Sequence, residues 1–244
     1  MTDEETGEHV LVVGGSSGMG FALAARLLAA GSAVTIVGRS PERLTQARQK
    51  LGDVPGLHAI AADATHEDDV ERVFQSVGDL HHIVWTAADV SGVYVLLPGM
   101  DVAIARRVID SKVIAPLLLA KHGVARLAPG GSITFTSGIA AYRPAPRGSV
   151  VAAINGAIES LVYALAVELA PIRVNAVSPG WVDTPIWDAV AGEGKGAALE
   201  GMAKRLPVGR IGQPDDIAKA IEAIIHNGFM SGTVVHVDGG QRLA

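Results

Sequence analysis

Cysteine is missing from the 244 residues. That excludes a disulfide-stapled scaffold and a thiolate metal centre. Aromatics are also scarce, 4% of a chain that is 49% hydrophobic, so the core must be built from Ala, Val, Leu and Ile. Such a core suits a sheet covered by helices on both faces. Basic charge is not in excess: a net charge of −5 leaves no electrostatic footprint for nucleic acid. The acidic start, Met1 to His9, lacks the basic-then-apolar pattern of a secretory signal. Apolar runs are interrupted, as by Arg26 after Gly20, short of the length that spans a bilayer. These absences lead us to expect a soluble, cytoplasmic chain with no membrane partner. Linkers, low-complexity tracts and internal repeats are lacking too, so one domain over 1–244 is expected.

What is present alternates. Short β-branched runs at His9–Val13, Ala33–Val37, Leu57–Ala61, His82–Thr86, Gly131–Thr136, Ile172–Val177 and Thr233–Val237 predict strands. Between them Gly18–Ala30, Pro41–Leu51, Glu67–Ser76, Val102–Leu127, Val150–Ala170 and Asp215–His226 predict helices. Ser40-Pro41-Glu42 offers an N-cap, a first-turn proline and an early carboxylate; Thr65 with Glu67, Asp68 and Asp69 marks a second helix start. The pattern is that of a Rossmann-type, doubly wound parallel sheet, whose ligands bind at the strand carboxyl ends. The stretch 183–206 breaks it with four glycines among helix formers, and reads as a mobile lid of short helices.

The first predicted strand runs into Gly14-Gly15-Ser16-Ser17-Gly18-Met19-Gly20 and then a helix. Gly14, Gly18 and Gly20 permit a tight turn and close approach of backbone to a pyrophosphate. The helix start supplies oriented N–H groups, and Ser16 and Ser17 add hydroxyls. At the end of the second strand, where a carboxylate would bond a ribose 2′-hydroxyl, the chain reads Val37-Gly38-Arg39-Ser40. A permanently charged guanidinium matches a 2′-phosphate, so NADP(H) is the expected cofactor.

With these residues in place, the chain resembles the short-chain dehydrogenase/reductase family from about His9 to Gly240. The Gly14-x-x-x-Gly18-x-Gly20 spacing carries the resemblance, with Ala62-Asp63-Ala64, the segment Arg173 to Pro185, Pro207-Val208-Gly209-Arg210 and Val237-Asp238-Gly239-Gly240. The resemblance implies about seven strands in the order 3-2-1-4-5-6-7. It also implies an adenine contact at Asp63 and Ala64. Pro179, Gly180 and Val182 would line the nicotinamide, and Thr184 would bond its carboxamide or the pyrophosphate. The family often assembles as tetramers through its long helices. Val102–Leu127 and Val150–Ala170 carry more apolar surface than one sheet face covers, so a homo-oligomer is expected, a tetramer before a dimer.

The departures concern chemistry. Where the family has Asn-Asn-Ala-Gly, this chain has Trp85-Thr86-Ala87-Ala88; Ala87 and Ala88 still line the adenosine side by backbone, and Thr86 is a partial substitute. A helix asparagine of the family aligns with Lys112. Ser137 matches the family's catalytic serine, but its Tyr-x-x-x-Lys is missing. The tyrosine falls on Val150 or Val151 and the lysine on Ile154 or Asn155, with Asn155 in the register that also matches Gly156, Ala157 and Glu159. Two classes of function remain open. One is an NADP(H)-dependent oxidoreductase of a small carbonyl, imine or alcohol, its acid drawn from Tyr142, Tyr94, Lys112 or Ser137 with water. Tyr142 leads among these, and an electrophile already charged, such as an iminium, needs the acid least. The other is a cofactor-binding scaffold or non-redox catalyst.

Overall fold

The computed structural model describes residues 7–52 and 54–244, with the backbone alone at Ala189; the first six residues of the acidic start lie outside it. Seven strands form one sheet: β1 (His9–Val13), β2 (Ala33–Gly38), β3 (Leu57–Ala61), β4 (Leu80–Trp85), β5 (Leu127–Thr136), β6 (Arg173–Pro179) and β7 (Val234–Val237). Every pairing is parallel, in the order β3-β2-β1-β4-β5-β6-β7.

The period of two in β1 shows why both faces are covered. Leu11 and Val13 enter one core with Ile83 and Phe135, against α3 (Glu67–Ser76), α5 (Ala115–Gly123) and α6 (Ser149–Glu168). Val10 and Val12 enter the other with Ile36 and Val84, against α1 (Gly18–Ala29), α2 (Pro41–Leu51) and α9 (Pro214–His226). Each fully buried Leu or Ile on these faces contributes roughly 1.5–3 kcal/mol. Arg26 of α1 clasps α9 through Glu222 at 2.5 Å and Asp215 at 3.1 Å. Helix α6 differs from the expectation of interrupted apolar runs, being long and apolar enough to cross a membrane by length and composition. Here its inner face is core, with Ile158 and Val162 fully buried against the sheet.

The predicted helix Val102–Leu127 is not continuous. It divides into α4 (Val102–Ile109), a π-helical turn over Asp110–Ile114 and α5, and Leu127 already belongs to β5. Pro116 accounts for the break: it has no N–H to offer the carbonyl of Lys112, so the preceding turn widens. Helix α3 starts at Glu67 as predicted, but its cap position is His66, while Thr65 turns back to Asp63. Ser40 caps α2 as expected, accepting from the Arg43 N–H at 3.2 Å. Short helices α7 (Ile186–Ala191) and α8 (Lys195–Ala203) follow β6, fastened by Lys195 to Asp183 at 3.0 Å and Asp188 at 3.1 Å.

Candidate active site

The strand carboxyl ends open into a cleft of about 2040 Å³. All the sequence-singled residues line it except Gly20, which lies beneath the loop. The three glycines have different reasons. Gly14 takes φ +89°, and a Cβ there would stand 2.7 Å from the Ala87 N–H nitrogen. On Gly20 a Cβ would stand 2.5 Å from the Gly14 carbonyl oxygen. Gly18 takes φ +54°, beside Thr184, in a conformation that side chains resist. Thr86 closes the loop from below, its hydroxyl and backbone N–H both donating to the Val13 carbonyl. Among the described residues no side chain caps α1, and its first turn carries no carboxylate. Its first N–H groups and positive dipole end therefore remain for a ligand's anion. That cradle fits a dinucleotide pyrophosphate.

Beside it, Gly38 lies next to the Ser16 hydroxyl, and Arg39 stands 61% exposed, its one ion pair among the described residues a long one of 3.5 Å to Asp89. Asp89 is bound more closely by Arg107, at 3.1 Å, so the Arg39 guanidinium keeps donors for a phosphate. The Ser40 hydroxyl is engaged with Glu42 at 2.7 Å as well as with its helix. Asp63 spends Oδ1 on Thr65. Ala64, Ala87 and Ala88 complete this half.

On the other half, Pro179 ends β6, and Gly180 packs so closely on the C-terminal segment that a Cβ would meet Asp238 Cα at 2.7 Å. Val182 accepts from the Trp187 indole N–H at 2.8 Å, and Trp187 stacks on Trp181 with centroids 4.2 Å apart. Thr184 is buried against Gly18, joining the base of the 183–206 segment to the phosphate loop.

The floor between the halves holds buried polar groups, Lys112, Ser137, Asn155 and Glu159, with Tyr142 more exposed beside them. Lys112, on the π-helical turn, donates to the Thr136 carbonyl at 2.5 Å and lies 3.4 Å from that of Ser137. Among the described residues it has no carboxylate partner, and burial pushes its ammonium down to about 8. Ser137 differs from expectation. Its hydroxyl turns away onto α6, donating to Glu159 at 2.6 Å with the Asn155 carbonyl 3.2 Å away. The reason is Glu159, a carboxylate buried on an apolar helix face, which needs donors. Position 138 faces Asn155 instead: a Cβ on Gly138 would lie 2.8 Å from the Asn155 amide nitrogen. Tyr142 packs its ring edge-on to His236 at 4.5 Å. Burial and then a hydrogen bond with Glu159 push its phenol well above the ordinary range. Glu159 was absent from the sequence reading of the site. A carboxylate four residues after Asn155, on the inward face of an apolar helix, was the signal available.

Residues 13–242 match a family model described as enoyl-(acyl carrier protein) reductase. The short-chain dehydrogenase/reductase malC of Malbranchea aurantiaca is 35% identical over 252 residues, covering 97% of this chain and 95% of that protein. The chain belongs to the short-chain dehydrogenase/reductase family. A solved structure of MalC, titled a reductase/Diels-Alderase, superposes with a TM-score of 0.89 at 32% identity, covering 98% of this chain and 96% of that one. A small-chain dehydrogenase in complex with NADPH gives 0.85 at 33% identity, covering 98% and 100%. A cis-4-hydroxycyclohexanecarboxylate dehydrogenase of Sinomonas cyclohexanicum is 33% identical, covering 97% and 98%. This dehydrogenase/reductase is thus an oxidoreductase with a nicotinamide cofactor cleft.

Proposed function

We propose that the chain is an NADP(H)-dependent oxidoreductase of a small carbonyl, imine or alcohol substrate. Its segment 183–206 serves as lid, and Lys112 takes the place of the missing proton donor. Arg39 carries the cofactor assignment: it directly follows β2 on the cleft rim, with neither residue beside it acidic. Gly14, Ser16, Ser17, Gly18, Met19 and the start of α1 would hold the pyrophosphate, Asp63 and Ala64 the adenosine, and Asn155, Pro179, Gly180, Val182 and Thr184 the nicotinamide end. When bound, the cofactor supplies or accepts hydride at the substrate carbon.

The chain's own residues must then manage one proton and exclude water. Lys112 has two of its three N–H directions on strand-end carbonyls, leaving one for a substrate oxygen or nitrogen. An ammonium held near 8 is matched to donation at neutral pH. The Tyr142 phenol, held higher and engaged with Glu159, is the poorer acid and is assigned to positioning. Ser137 likewise acts through Glu159. The Trp181–Trp187 pair and the lid would close the site over an apolar substrate body.

The test is cofactor affinity followed by turnover. NADPH is expected to bind more tightly than NADH. Arg39→Ala removes most of that difference and leaves NADH nearly unaffected; equal affinities in the unmodified protein defeat the assignment. A second reading, a non-redox catalyst in the same cleft, draws support from the missing tyrosine and lysine and from MalC being described as both a reductase and a Diels-Alderase. Product formed while NADPH is bound but not consumed, across carbonyl and imine panels, decides for it.

A further inference from the structure

The molecule carries a net charge of −5, yet its cleft is lined by six cationic side chains against three acidic ones. Arg39 and Arg43 flank the end of β2, and Lys112 lies on the floor. The other three, Arg143, Arg147 and Arg205, come from the segment after β5 and from the end of the lid, and none has a function in the scheme above. Among the described residues their side chains make no hydrogen bond or ion pair. The acidic side chain lining that half, Asp188, is held by Lys195 at 3.1 Å and does not neutralise them.

Topology sets Arg143 and Arg147, which follow β5, apart from the 2′-phosphate position at the end of β2. Between β2 and β5 lie β1 and β4, three strand spacings or about 14 Å. The pyrophosphate cradle, at β1, lies two spacings or about 10 Å from β5. Arg143 and Arg147 follow β5, Trp181 and Trp187 follow the adjacent β6, and all four line the cleft. Arg147 is also the one non-glycine residue, among those described, in the left-handed region, at φ +70°. A backbone site suited to glycine is held by a guanidinium on the cleft wall.

We infer that the substrate is an organic anion. Its apolar or aromatic body lies against the tryptophan pair, and a carboxylate or phosphate group is taken by Arg143, Arg147 and Arg205. Planar guanidinium forks match either anion by paired N–H···O bonds. This rests on the proposed oxidoreductase reading for what happens to the anion, and on the cleft alone for its binding.

The probes are 2-naphthoate, 2-naphthyl phosphate and the neutral 2-naphthalenemethanol. Each is titrated against the tryptophan fluorescence of the full chain, with and without saturating NADP+. At low salt at least one anion is expected to bind about tenfold or more tightly than the alcohol, the margin shrinking as salt rises. The tighter anion identifies the group the site was built for. Arg147→Gly, which suits its backbone, together with Arg143→Ala and Arg205→Ala, should each weaken that anion several-fold and leave the alcohol unchanged. Equal binding of all three probes, or unaltered anion affinity in all the variants, overturns the inference. NADPH affinity measured on the same samples keeps the two readings apart. Its failure would end the oxidoreductase reading, while the arginine variants would still decide the anion site.

Discussion

Lys112 is the residue at which stability and chemistry oppose each other. Its ammonium is charged at pH 7 in both folded and unfolded chains, but only the folded chain buries it. The drop from 10.5 to about 8 corresponds to a cost of about 3 kcal/mol at neutral pH, relieved as pH rises from 8 towards 10.5. Lys112→Met is therefore expected to raise stability by about 1–3 kcal/mol, less whatever the deserted Thr136 carbonyl loses. It should also cut turnover by about 10²-fold or more. In the unmodified protein, reduction should fall as pH rises through about 8, and the variant's residual rate should lose that inflection. A variant that is both less stable and as active would remove Lys112 from the mechanism. Tyr142→Phe and Ser137→Ala separate positioning from acid catalysis: each should lower turnover several-fold with NADPH affinity intact, the pH inflection staying in place. A fall of about 10²-fold with loss of the inflection in Tyr142→Phe would return the proton to the phenol.

At the scale of elements, what could be read in the sequence is what local patterning decides. β1, β3, α2 and α3 have the predicted bounds because β-branched runs, Pro41 and the acidic first turn of α3 act within a few residues. The division of Val102–Leu127 was also written locally, in Pro116, but the apolar repeat on either side concealed it. The orientation of Ser137 was not legible, because it depends on Glu159, 22 positions away and brought near only when α6 packs on β5. The glycine loop was read for its ligand, whereas Gly14 and Gly20 are also fixed by Thr86 and Ala87 below them. The opposite end of the sheet supplies a stability test. His82 of β4 bonds Ser132 of β5 at 2.8 Å, and burial lowers its pKa from 6.5 to about 4, with the neighbouring Glu8 opposing. A base depressed in the folded state costs stability when the unfolded chain protonates first. Stability should therefore fall as pH drops from about 6.5 to 4 and level off below, by up to about 3 kcal/mol. His82→Gln, which retains a polar partner for Ser132, should flatten that fall in a series of melts from pH 7 to 4.5. An unchanged slope would place the titration elsewhere.

For the whole molecule, the unexplained feature is apolar surface on two separate faces. Val102, Ile109, Ile114 and Leu117 project from α4, the π-helical turn and α5, and Tyr163 and Val167 from α6, Val167 being 81% exposed. Away from them, Phe229 is fully exposed between α9 and β7, and Leu243 lies near the chain end. Stable association buries about 1,600 Å² in all, and symmetric dimers use one patch twice. One patch alone closes a dimer; two independent patches, each self-complementary about its own two-fold axis, generate a tetramer with the symmetry of two crossed dimers. A homotetramer is therefore expected in sedimentation at micromolar concentration. Val167→Glu with Tyr163→Glu should open the helical interface and leave dimers joined through the Phe229 face. Phe229→Asp should leave dimers of the opposite kind, and the combined variant should sediment as a monomer. Because α6 also carries Asn155 and Glu159, loss of the helical interface is expected to weaken turnover more than loss of the Phe229 face. An unmodified protein that sediments as a monomer would mean these side chains serve some other contact.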